Sequence, residues 1–348
     1  MAKTAILLAN LGSPDSYQVK DVRRYLDEFL MDERVIDIPS FVRTILVKGI
    51  IVPFRSPKSA SKYKSIWTDN GSPLIHISKS VQAALKDLAG MPVELCMRYG
   101  NPTPENAFKN LIEKNPDLES VTLIPLYPHY AMSSYETAVI HVVNTHQRMG
   151  CKFSLKVVPP YYKHPDYVRV LAESIKPHLN EPFDHLLFSY HGIPERHVKK
   201  TDFTKSHCLC ANGCCENPSE AHAVCYRHQV TQTTRLAAEL LGLAPEKYSF
   251  SFQSRLGADA WLKPYTAAQL EAFPKKGIKK LIVVCPAFVS DCLETLEEIQ
   301  MEGEEDFMHY GGESYKVIPC LNERQDWIQT LMVLADTAVP HETLVLNR

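Results

Sequence analysis

Leu187-Phe188-Ser189-Tyr190-His191-Gly192-Ile193-Pro194 is a short apolar run that ends in an imidazole and then in glycine and proline. A run of this length bounded by Gly and Pro reads as a buried strand. It delivers His191 to the strand's C-terminal edge, where open α/β sheets bind their ligands. A functional histidine is expected there. On its own the residue keeps a second reading, since imidazole also caps strands and bonds turn carbonyls.

The same strand-then-turn pattern recurs outward from this stretch. Residues 4–9 (TAILLA) run into Asn10, Leu11, Gly12, Ser13 and Pro14, and further apolar runs stand at 93–97 (VELCM), 120–126 (SVTLIPL), 151–158 (CKFSLKVV), 248–255 (YSFSFQSR) and 281–285 (LIVVC). Helical periodicity fills the gaps; Val22, Tyr25, Leu26, Phe29 and Leu30 share one helix face. The alternation predicts an α/β protein with two parallel sheets, the second series of strands starting at residues 151–158. A chain of 348 residues also suits two domains of roughly 150 residues each.

Composition narrows the function. A net charge of -2 and a pI near 6.7 offer no basic field for nucleic acid. No GxGxxG or GxxxxGK phosphate loop occurs. The N-terminus carries no secretory pattern and no run reaches 18 apolar residues, so a cytoplasmic chain with reduced thiols is expected. His141 and His146 stand five residues apart on a helix, a spacing that separates them, and are expected at the surface.

Several stretches carry chemistry. Residues 41–54 (FVRTILVKGIIVPF) precede Arg55, Lys58, Lys62 and Lys64, which fits an interfacial segment on anionic lipid, a lid over an apolar ligand or a core helix. Arg98 and Tyr99 follow one strand and Tyr127 another, a rim suited to a flat apolar ligand with a few charges; Arg98 can pair with a carboxylate. The bland alternative is a solvated arginine and core tyrosines. Asp291 stands where a helix needs an N-cap, and Glu294, Glu298 and Glu302 then fall at i, i+4 and i+8 on one face. Such a row is either a solvated stripe or a track for a divalent cation and protons. Five of the ten cysteines lie at 208, 210, 214, 215 and 225, enough thiolates for an iron–sulfur cluster or a structural zinc, with free thiols as the alternative.

The strings LLANLGSP, NGSPL, MRYGNP, PLYPHY, FSYHGIPER, FQSRLGADAWLKPYT and CPAFVSDCLETLEEI, in this order over residues 5–322, closely resemble ferrochelatase, the family that inserts Fe(II) into a porphyrin at the end of haem synthesis. Within it the chain looks most like the protoporphyrin-using enzymes of Gram-negative bacteria. The resemblance implies two Rossmann-like domains, 1–148 with 322–348 and 149–321, and a porphyrin cleft between them. It implies His191 as proton acceptor or metal ligand for Fe(II), Glu294 as its partner across the cleft, and Glu298 and Asp291 as a relay. Leu11, Trp67, Ser72, Arg98, Tyr99 and Tyr127 match positions that border the macrocycle or its propionates. Residues 41–56 resemble an apolar lip that touches the membrane.

Some members of the family carry a two-iron two-sulfur cluster, and the insertion at 205–228 is read as its site. Cys208, Cys210, Cys215 and Cys225 are the expected ligands, Cys214 an alternative and His207 a substitute. Two other readings stay open: a chelatase for another metal, such as cobalt or nickel, or another tetrapyrrole such as coproporphyrin, and a non-enzymatic haem or porphyrin carrier. The intact pair of His191 and Glu294 speaks against the carrier.

Overall fold

The computed structural model of the chain describes residues 2–346 except 256 and 258. Its strands form two mainly parallel sheets, as expected for an α/β protein. The first has the order β2-β1-β3-β4-β9, with β1 Thr4–Asn10, β2 Val93–Met97, β3 Ser120–Pro125, β4 Ser154–Val157 and β9 Val339–Pro340. The second has the order β6-β5-β7-β8, with β5 His185–His191, β6 Tyr248–Gln253, β7 Lys280–Val284 and β8 Ser314–Val317.

In each sheet the first strand in sequence lies between the next two. β1 pairs with β2 and β3, and β5 with β6 and β7, all in parallel. The chain therefore reverses its winding direction at β1 and again at β5, and the crevices that open there lie beyond the carboxyl ends of the two strands. Asn10–Leu11 and His191–Gly192 stand at those ends. The six residues from His185 to Tyr190 are buried, as a parallel strand covered on both faces requires.

The strand at Ser154–Val157 does not start the second sheet. It pairs in parallel with β3, Val121 opposite Leu155 and Leu123 opposite Val157, and so completes the first. Its alternating pattern, with Leu155 and Val157 inward and Ser154 and Lys156 exposed, marks a strand near a sheet edge rather than the centre of a new one. β8 and β9 carry no such signal in the sequence, being short and half-exposed.

One core cluster spans both sheets, uniting Ile6, Leu8 and Leu95 with Leu186, Phe188 and Tyr190 around Trp327 of the helix Gln325–Ala335. His141 and His146 are half-buried rather than fully exposed. Burial lowers the His141 pKa to about 4, and His146 Nε2 lies 2.9 Å from the Phe153 carbonyl oxygen. Residues 41–54 form one face-divided rod: the helix Ser40–Thr44, a π-helix Ile45–Ile51 and the start of the helix Val52–Ile66. Val47 and Val52 are buried, whereas Phe41 is 77% and Phe54 80% exposed. A fully buried core helix is thereby excluded.

Candidate active site

His191 is held by its own strand end. Its Nδ1 lies 2.7 Å from the carbonyl oxygen of Gly192. A carbonyl only accepts, so in the neutral ring Nδ1 carries the proton and the Nε2 lone pair is free for a proton or a metal. The strand register puts His191 beside Gln253, and Tyr226 donates its hydroxyl to the His191 carbonyl at 2.8 Å. Only glycine fits next in the chain: a Cβ at Gly192 would stand 2.6 Å from the Gln253 carbonyl oxygen and 3.2 Å from the Trp261 ring. Phe288 flanks the imidazole, their ring centroids 6.2 Å apart.

The acidic segment is wound differently from the α-helix that its spacing predicts. Glu294–Glu302 is a π-helix, a form with i→i+5 bonds that recurs at functional sites. Glu294 and Glu298 turn into the site, and Glu302 leaves it for Lys62 at 2.7 Å. Glu298 is fixed by Ser254, whose backbone N–H and hydroxyl donate at 2.8 and 2.6 Å from a residue with φ of +64°. Burial raises the Glu298 pKa, and the neighbouring Glu294 charge adds to that rise while Ser254 and His191 oppose it. His191, Glu294 and Glu298 thus form one electrostatic group. Burial raises the Cys292 thiol pKa, and the nearby Glu294 carboxylate raises it further.

Asp291 has another occupation. It accepts from Thr295 Oγ1 at 2.9 Å, Asn322 Nδ2 at 2.7 Å and the Cys320 N–H at 3.3 Å. Those bonds close the turn ahead of the π-helix onto the 320–322 loop. Among the described hydrogen bonds none joins Asp291 to His191, Glu294 or Glu298.

The first half supplies the facing wall. Leu11, Tyr17, Tyr25, Phe29, Tyr63, Trp67 and Tyr99 make one cluster to which Leu293 of the second half packs. Burial raises the Tyr25 and Tyr63 pKa values and the Glu294 charge raises both further, so these phenols stay protonated beside that carboxylate. The carboxylate that Arg98 meets within the protein is Asp32, at 2.5 Å. Tyr99, fully buried, donates to the same Asp32 at 2.8 Å. The Tyr127 hydroxyl is buried and has no hydrogen-bond partner. Trp67 stacks edge-on against Tyr17 and Tyr63. Ser72 is buried at the start of the helix Pro73–Ala89, its hydroxyl unused as a cap.

Gln253, Ser254, Tyr25, Tyr63, Tyr226 and Phe288 are absent from the sequence-derived set. Tyr25 reads as helix-face core, and a positive φ at a serine leaves no mark in a sequence. A separate cavity of about 390 Å3, lined by charged groups including Arg34, Asp37, Arg43 and Lys200, contains none of the predicted site residues.

In the insertion neighbouring thiols raise one another's pKa values, Cys225 that of Cys215 and Cys208 that of Cys225. Cys210 is exposed, its thiol 3.5 Å from the Cys208 carbonyl. His207 and His222 turn to the Cys214 carbonyl, at 2.7 and 3.0 Å. Asp202 anchors the loop by accepting the N–H groups of His207 and Cys208. Among the described residues no group of three or more His, Cys, Asp or Glu is arranged to hold a metal ion. The donor type fits an iron–sulfur cluster, but the loop would have to draw its thiols together around it.

Residues 3–339 match the family model described as Ferrochelatase. A ferrochelatase of Opitutus terrae is 51% identical over 95% of this chain and 96% of its own. One from Pseudomonas syringae pv. syringae is 47% identical over 97% and 99%. Among solved structures, SirB from Bacillus subtilis with Fe3+ covers 96% of both chains with a TM-score of 0.52 at 11% identity, a likeness that concerns the fold alone. With residues 3–339 matched to the family model and a relative 51% identical over nearly its whole length, the chain belongs to the ferrochelatase family.

Proposed function

We propose that the crevice beyond β1 and β5 carries out the family's reaction, a lyase step of haem biosynthesis that inserts Fe(II) into protoporphyrin IX, with His191 and the π-helix carboxylates as its working groups. Two pyrrole N–H bonds break, the metal bonds to all four ring nitrogens and two protons leave, so neutral porphyrin plus Fe(II) becomes neutral haem plus two H+. The observation that carries this reading is the free His191 Nε2 beside Glu294 and Glu298. A neutral imidazole accepts a proton near pH 7, and a carboxylate whose pKa burial has raised passes one on. Glu294 supplies a hard oxygen ligand to the incoming cation. Leu11, Trp67 and the tyrosines give a flat apolar wall and the unpartnered Tyr127 hydroxyl and Ser72 offer donors, while Arg98, paired with Asp32 and lying over the Tyr99 ring, braces that wall from behind. Asp291 acts by fixing the turn that aims Glu294.

Anaerobic assay of the purified protein with Fe(II) and protoporphyrin IX should yield metalloporphyrin. The Glu294→Ala protein should lose roughly a hundredfold or more in kcat. Unchanged turnover in that variant would remove the carboxylate from the mechanism.

We also infer a two-iron two-sulfur cluster in the cysteine insertion. Cys208, Cys214, Cys215 and Cys225, which influence one another's titration, are the favoured ligands, and the exposed Cys210 stands outside that group. Such a cluster supplies a one-electron couple and ties the loop at four points. Equal iron and sulfide content with visible absorption supports it, retained in Cys210→Ser and lost in Cys214→Ser; colourless protein containing zinc refutes it. The exposed Phe41, Ile45, Ile50 and Phe54 support peripheral contact with a lipid surface on the cytoplasmic side. Among the described residues no helix is long and apolar enough to cross a membrane.

A further inference from the structure

The π winding of Glu294–Glu302 needs something to hold it, because an α-helix makes the tighter and commoner ladder. Besides Ser254 on Glu298 and Gln253 on the Glu294 carbonyl, two contacts from outside hold its later turns. At the far end Tyr315 donates its hydroxyl to the Ile299 carbonyl at 2.7 Å. Gly303 leaves room for that ring; a Cβ there would stand 2.5 Å from the Tyr315 oxygen.

The second contact crosses the molecule. Lys62, on the lip helix Val52–Ile66, sets one ammonium 2.8 Å from Glu297 and 2.7 Å from Glu302. These two glutamates are five residues apart. In an α-helix at 3.6 residues per turn, five residues rotate the second side chain about 140° from the first. In a π-helix the i→i+5 bond stacks one above the other. One lysine reaches both only in the wider form.

We propose that Lys62 is a positioning residue for metal insertion: it staples the π turn and so sets Glu294 and Glu298 against His191. This rests on the reading of those carboxylates as the working groups. Glu297 makes the staple firm, since its side chain is only 10% exposed and Lys62 26%. Lys62 precedes Tyr63, so the helix that bears the exposed Phe54 is tied through one residue to the acidic wall.

The test compares Lys62→Met, Lys62→Arg, Glu302→Gln and the double variant Lys62→Met/Glu302→Gln in the anaerobic assay with Fe(II) and protoporphyrin IX. Lys62→Met should lose about tenfold to a hundredfold in kcat with KM for the porphyrin changed less than about twofold. Arginine, whose fork spans two carboxylates, should restore most of it. The double variant should be no worse than Lys62→Met, because both break one interaction. A crystal structure of Lys62→Met should show residues 294–302 rewound or displaced. Wild-type kcat in Lys62→Met, strictly additive losses, or an unmoved π-helix in its crystal structure would overturn the proposal. If instead Glu294→Ala and Glu298→Gln both keep full turnover, the underlying reading fails, whatever Lys62 does.

Discussion

His191 works because its neighbours settle its tautomer. The bond from Nδ1 to the Gly192 carbonyl leaves Nε2 open, and the missing Cβ at Gly192 lets its N–H close on the Gln253 carbonyl of β6 at 2.8 Å. Gly192→Ala should therefore cost about 1–3 kcal/mol in urea unfolding through overpacking and reduce kcat by displacing the imidazole. Glu298 gives a second prediction at this scale. Its carboxyl pKa lies above the ordinary value of 4.5, burial being the main cause. The folded state thus binds the proton more tightly than the unfolded one, and stability is lost as pH rises through that window. Glu298→Gln removes the cost. The variant should melt above wild type at pH 7 and lose that advantage near pH 4, while its kcat falls about a hundredfold. His191 was legible from a short apolar run closed by Gly and Pro. Ser254, which holds Glu298 through a positive φ, was not, because backbone handedness at a serine is set by its surroundings.

At the scale of elements, periodicity located the strands and told little of winding. The spacing of Glu294, Glu298 and Glu302 suits an α-helix face, yet the segment is a π-helix and Glu302 belongs to Lys62. The same lysine meets Glu297, 235 residues away in sequence, a contact no local pattern encodes. The apolar run at 41–54 left three readings, and the exposure of Phe41 and Phe54 against the burial of Val47 and Val52 decides against the buried one. Phe41→Ser/Phe54→Ser should lower sedimentation with anionic vesicles several-fold, since each ring contributes a few kcal/mol of transferable apolar area, roughly 1.5–3 when fully buried. Turnover of detergent-solubilised porphyrin should stay near wild type. Vesicle binding unchanged in the double variant would place the membrane contact elsewhere.

At the scale of the molecule, the two sheets share one core, and ion pairs tie their loops together. Asp37 accepts from Arg196 at 2.7 Å and His197 at 3.1 Å, with Lys200 at 3.5 Å. Burial pushes its carboxyl up, but the Arg196 and His197 contacts outweigh this and bring the pKa down to about 2. A depressed folded pKa stabilises above the unfolded value, near 3.8, and the benefit fades as pH falls toward 2. Asp37→Asn should cost about 2 kcal/mol at pH 7, and its gap from wild type should close in acid melts. The α/β class and the pair of parallel sheets followed from alternating strand and helix signals. The assignment of Ser154–Val157 to the first sheet did not, because a four-residue strand does not declare which neighbour it will pair with. The central claim for the whole molecule is that His191 Nε2 takes a pyrrole proton as Fe(II) enters. Anaerobic kcat of His191→Ala, with and without added free imidazole, tests it most directly. His191→Ala should lose about 10²–10⁴-fold, partly restored by imidazole, whereas turnover within a few-fold of wild type without imidazole would contradict that role for His191.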